Sequence, residues 1–187
     1  MTRLATLILA LGLVIGLLGG SGARADEYDG NKDYAMRGTV ELGGTAGFSR
    51  STISDLDTTL TLISIHPFGG YFLAPSFALL GAIDVTYLKP DPGDSDTTVS
   101  VLAGAGYYLP LGSIHLGPQA MIGYGQVSDG TDSDSAFVAD AQLVLKAQVG
   151  TGGLVNIGAG YRYNRVFADS AYNLSTIAIQ LGFSVWF

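Results

Sequence analysis

The feature that most restricts this chain is a two-residue hydrophobic rhythm that keeps returning. From residue 40 onward apolar and small or polar residues alternate over stretches of about ten residues, and no stretch there holds the 3.6-residue period of a helix. Val40, Leu42, Gly44, Ala46 and Phe48 share one face, against Glu41, Gly43 and Thr45. Leu79, Gly81, Ile83, Val85 and Tyr87 oppose Ala78, Ala82, Asp84 and Thr86. Val99 to Tyr107 and Ile114 to Tyr124 repeat the pattern, as do Ala139 to Ala147, Val155 to Tyr163 and Ile177 to Phe187. A further strand, about Leu60 to Phe72, is less regular. There the rhythm changes near His66-Pro67, where a bulge is expected because proline cannot donate to a ladder.

These eight strands have the length that crosses a bilayer at a tilt of about 45°. Their connections alternate. Those near Ala74-Pro75, Pro110-Leu111-Gly112 and Thr151-Gly152-Gly153 are short, whereas Ser51 to Thr58, Leu88 to Thr97, Val127 to Ala136 and Asn164 to Asn173 are longer and polar. The expected fold is therefore all-β: an eight-stranded antiparallel up-and-down transmembrane β-barrel with both termini on the periplasmic side.

Alternation alone does not say which face meets lipid, and composition decides it. Charged residues make up only 13% of the 187-residue chain, about half the share of a soluble domain, and the polar faces carry Gly, Thr, Ser, Ala and Gln. Such side chains suit a narrow lumen. Aromatic residues gather at strand ends, as at membrane interfaces: Phe48, Tyr87, Tyr124, Tyr161 and Tyr163 toward the long loops, and Tyr71, Phe72, Phe77, Tyr107 and Phe187 toward the short turns.

Ahead of the strands, residues 1–25 have a basic residue at Arg3, an apolar run from Leu4 to Leu18 and the small-residue site Ala23-Arg24-Ala25, the pattern of a cleaved signal peptide. The run is short for a bilayer-spanning helix. Residues 26–187 then form the barrel domain, with seven basic against sixteen acidic residues and a net charge of −9. That charge argues against nucleic acid as a partner. Cysteine is absent, so disulfides and thiolate metal sites are excluded.

In the last strand, Ile179, Leu181, Phe183, Val185 and Phe187 resemble the C-terminal pattern of bacterial outer-membrane barrels, which ends in an aromatic residue. The resemblance implies that this strand is read by the barrel-assembly machinery. The whole domain resembles the small eight-stranded class that includes outer membrane protein X, the Ail-type adhesins and the membrane domain of outer membrane protein A. It implies a monomer in the bacterial outer membrane, in contact with its lipid and lipopolysaccharide, with no cofactor and no enzymatic activity. The role implied is structural or surface-interacting, through acidic external loops such as "PDPGDSD". The alternatives are a narrow porin-like channel and, behind it, a lipid A-modifying enzyme.

Five charged residues fall on lumen faces: Glu41, Asp84, Asp140, Lys146 and Arg162. Charges in a low-dielectric interior need partners, so they are expected to form a paired network. A hairpin centred on Thr151-Gly152-Gly153 would set Arg162 opposite Gln142 and diagonal to Asp140. Asp129, Asp132 and Asp134 loosely resemble a calcium loop but lack its glycine and distant glutamate. "SIH" occurs twice, at Ser64-Ile65-His66 and Ser113-Ile114-His115, and puts Ser and His on one face, with no orienting acid evident in the sequence.

Overall fold

The computed structural model describes residues 34–53, 58–91, 93–128, 132–167 and 172–187; the expected signal peptide lies outside them. Alternation in the sequence becomes a closed antiparallel ring. The strands are β1 (Val40–Ile53), β2 (Thr58–Ala74), β3 (Phe77–Asp91), β4 (Asp96–Tyr107), β5 (Leu109–Leu111), β6 (Ile114–Ser128), β7 (Ser133–Val149), β8 (Gly153–Phe167) and β9 (Tyr172–Trp186). Each pairs with its sequence neighbour except that β4 and the short β5 both pair with β6 rather than with each other, and β1 closes the ring against β9. There are nine segments but eight staves, because β5 continues β4 in unchanged register along β6. Pro118 causes the break: it stands opposite Tyr107 without an N–H to give, and the Tyr108 N–H turns instead to the Ser76 carbonyl, 2.8 Å away.

The same loss of a donor occurs at Pro67, but without the expected bulge. The β2–β3 ladder skips His66 and Pro67 and resumes with Phe68 opposite Ala82 in the register it had before. The register shift lies instead between Phe72 and Ala74, beside the turn. The rhythm only looked broken at His66-Pro67 because two large aromatics, Phe68 and Phe72, point inward. Phe72 thus leaves the expected girdle and is fully buried in the lumen.

Most strands run 14 to 17 residues, longer than a bilayer needs. The excess lies at the loop end. The sequence reading's long polar connections are largely strand, which leaves only 54–57, 92–95, 129–132 and 168–171 between staves. Outside, Leu79, Val101, Ile122, Leu143 and Ile157 form an exposed apolar belt. Inside, Leu80, Leu102, Met121 and Val144 fill the middle of the lumen.

Candidate functional site

Among the described residues, the buried charged side chains lie in the lumen, in two layers. The lower layer, near the short turns, starts from β1, whose period-two pattern turns Glu41 inward. Its carboxylate accepts from Lys146 Nζ of β7 at 2.5 Å, from the Ser184 hydroxyl of β9 at 2.7 Å and from the Tyr34 hydroxyl at 2.5 Å. Asn156 Nδ2 of β8 donates to Ser184 at 2.9 Å. The Lys146 ammonium also lies 4.7 Å from the Tyr108 ring centre and 5.0 Å from that of Phe68, where the ring faces offer partial negative charge.

Tyr34 belongs to no strand. The segment before β1 enters the short-turn end of the barrel, where Ser76 N–H donates to the Ala35 carbonyl at 2.8 Å and buries Tyr34 among Phe72, Tyr108, His115 and Trp186. Burial first, and then the adjacent Glu41 carboxylate, push its hydroxyl far above the ordinary phenol pKa. It therefore remains a proton donor. No period in the sequence marks this residue, which precedes the first strand. The available signal was an aromatic a few residues ahead of a strand that carries an inward glutamate.

The upper layer is built on Arg162 of β8. The β7–β8 turn is centred one residue earlier than expected, so Asp140 stands directly opposite Arg162 and Gln142 faces Gly160. Arg162 Nε donates to Asp140 Oδ2 at 2.9 Å, and its Nη1 lies 2.7 Å from Asp84 Oδ2 of β3. Asp84 also accepts from Thr86 at 2.9 Å and meets His66 Nδ1 at 3.3 Å. The five charged residues thus sit in the lumen as one pair and one triad. Between the layers, Tyr108 donates to Gln119 at 2.9 Å, and Gln119 Nε2 reaches Gln142 at 3.4 Å.

The structure corrects one point in the catalytic reading. An orienting acid does exist: Asp84 stands beside His66, with Ser64 on the same face. The His66 Nε2 is nonetheless buried without a partner, so no Ser64 proton is shared with it, and a Ser–His–Asp relay lacks its central contact. At the second "SIH", Ser113 is exposed in a turn whereas His115 is buried against Tyr34, 4.8 Å between ring centres, so that pair is split. Asp129 of the loose calcium loop lies outside the described residues, and among those described no group of three His, Asp or Glu is placed to hold a metal.

Above Arg162 the lumen widens into a cavity of about 110 Å³ that faces the loop end. Asp84, Asp140 and Arg162 line its polar part, and Leu62, Leu88, Val127 and Val166 its apolar walls.

No protein-family model and no curated protein matches this chain. Solved structures do. Neisserial surface protein A is 20% identical, the match covering 79% of this chain and 96% of that one at a TM-score of 0.53. Ail, the attachment invasion locus protein of Yersinia pestis, is 15% identical, covering 81% of this chain and all of that one at a TM-score of 0.50. At these identities the likeness is one of fold, and the fold is that of the small outer-membrane β-barrels.

Proposed function

We propose that the protein is a monomeric barrel of the bacterial outer membrane that serves as a non-enzymatic surface scaffold. In this reading residues 1–25 are removed as a signal peptide, both termini face the periplasm, and the acidic hairpin tips meet the outside. One observation carries the reading: the exterior is apolar while the lumen is blocked along its axis. From the short-turn end upward the axis meets the Tyr34 plug, the Glu41–Lys146 pair, the layer of Leu102, Met121 and Val144, and the Arg162 triad. Eight staves leave an interior about one layer of side chains wide, and here it is filled.

The outward side chains meet lipid and lipopolysaccharide, and the hairpin tips are left to meet a partner, as the name of Ail says of that protein. Ile179, Leu181, Phe183 and Val185 stay exposed on the outer face of β9, in reach of the assembly machinery during biogenesis. Phe187 bonds Val40 in both directions, at 2.9 and 3.0 Å, and so also fastens the last stave to the first.

Planar-bilayer recording tests the scaffold reading against a channel. A plugged barrel gives no stable openings in monovalent salt. Steady unitary conductance that Tyr34→Ala enlarges would establish the channel instead.

A further inference from the structure

The closing seam differs from the other junctions in the wall. The β7–β8 ladder has fifteen rungs and β4–β6 has ten, but β1 and β9 share six, from Glu41–Trp186 to Ala46–Leu181. Both strands continue far beyond that point. The same register would set Gly47 against Gln180 and Phe48 against Ile179, yet among the described residues no rung joins them. Side-chain exposure agrees. Ile177 at 83%, Ile179 at 74% and Phe48 at 70% are the three most exposed large apolar side chains among the described residues, and all three border this gap.

The unpaired stretch begins just below the loop-side aromatic girdle, because Ile179 is level with Ala159 and Ile177 with Tyr161 across β8–β9. In hydrocarbon, unmet strand-edge groups cost several kcal/mol each, so an open stretch there is not a neutral feature. Directly behind it lies the vestibule above Arg162, which Thr176, Ala178 and Gln180 of β9 also line. Two buried polar atoms at its floor have no hydrogen-bond partner, Asp140 Oδ1 and Arg162 Nη2. Two carboxylates against one guanidinium leave the floor negative, which favours a cationic donor at Asp140. The walls of Leu62, Leu88, Val127 and Val166 suit a short alkyl body. The packed layer below closes the downward route.

We propose that the unzipped upper half of the β1–β9 seam is a lateral portal, through which a small amphipathic amine passes between the outer leaflet and the vestibule and is held there by Asp140. The inference rests on the reading of this chain as a membrane barrel. Because the native chain has no cysteine, single labels are clean. A nitroxide on Gln180→Cys, with Thr176→Cys as a second seam site, is compared with one on Thr98→Cys, which lines the vestibule from a fully zipped strand.

In phospholipid vesicles, oxygen dissolved in the hydrocarbon is expected to relax the seam labels several-fold more than the Thr98→Cys label. Added n-butylammonium is expected to reduce that relaxation and n-butyrate to leave it unchanged, while Asp140→Asn removes the ammonium response and keeps the oxygen effect. Equal oxygen relaxation at the seam and at position 98 overturns the portal. An equal response to both probes, or to neither, overturns the ligand assignment. Efficient disulfide cross-linking between Phe48→Cys barrels would give the edge to a second copy and overturn the portal as well. Failure of the barrel to enter vesicles, seen as loss of protease protection, counts against the proposed function rather than against the portal.

Discussion

Removing the Lys146 ammonium puts the lower polar layer to its hardest test. Lys146 is 1% exposed and 2.5 Å from a fully buried Glu41 carboxylate, so Lys146→Met leaves that carboxylate without its counter-charge. Breaking one side of a buried pair costs about 3–5 kcal/mol. Tyr34 and Ser184 still donate to Glu41, which puts the expected loss toward the lower end, about 3 kcal/mol. Adding Glu41→Gln removes the stranded charge but leaves an oxygen for both hydroxyls. The double variant is then expected to cost only about 1 kcal/mol relative to wild type. The two substitutions should therefore be strongly non-additive. Urea unfolding in phospholipid vesicles measures this cycle, and the single tryptophan, Trp186, reports from the same end of the lumen at 6.1 Å from the Tyr34 ring. Single and double variants whose losses simply add, with Lys146→Met costing under about 1 kcal/mol, would refute the claim that the pair is a buried, mutually dependent unit.

The upper layer predicts an asymmetry: Arg162→Met strands two carboxylates and should lower the urea midpoint more than Asp140→Asn, which removes one charge and keeps an acceptor. Equal losses would mean that Asp84 is held mainly by His66 and Thr86. Because the Tyr34 pKa is raised in the folded state, its contribution is present below the unfolded phenol value of about 10 and declines as pH rises above it. Absorbance titration of the folded barrel should accordingly show the same alkaline phenolate step with and without Tyr34→Phe, and the unfolded chains should differ by one tyrosine. Deleting Phe187 removes its two backbone bonds to Val40 and the end of the assembly pattern. Cells should then insert less barrel, while refolding in detergent remains efficient; unchanged insertion would remove the assembly role.

How far the sequence revealed this molecule follows from what a two-residue period encodes. It records parity, and parity survives errors of register by two. Ring closure, the antiparallel order and the apolar exterior were all legible for that reason. The β7–β8 turn was misplaced by one residue, which moves partners by two, so Arg162 was still assigned to the correct face but opposite Gln142 instead of Asp140. Information that is not periodic was lost. Tyr34 has no strand to phase it, and its place in the lumen depends on contacts with Ala35, Ser76 and Trp186 that are local to no window of sequence. The Asp84 beside His66 was missed because strands β2 and β3 bring together residues eighteen apart.

Inward aromatics caused the remaining error, and its physics links the two ends of the barrel. A large apolar residue reads as lipid-facing only if the lumen is polar, and the short-turn end is aromatic: the Phe68, Tyr108 and Tyr34 rings surround the Lys146 ammonium, and Phe72 packs on Tyr34 and Tyr108. An ammonium in such surroundings needs a fixed carboxylate, and Glu41 supplies it from the first strand while Ser184 ties it to the last. The β1–β9 seam is therefore pinned from inside where its six rungs are formed. Higher up, the Thr45 hydroxyl reaches Gln180 at 2.9 Å, the last side-chain tie across the seam among the described residues before the ladder ends. Above that tie the ladder ends, at the height where the lumen opens into the cavity above Arg162.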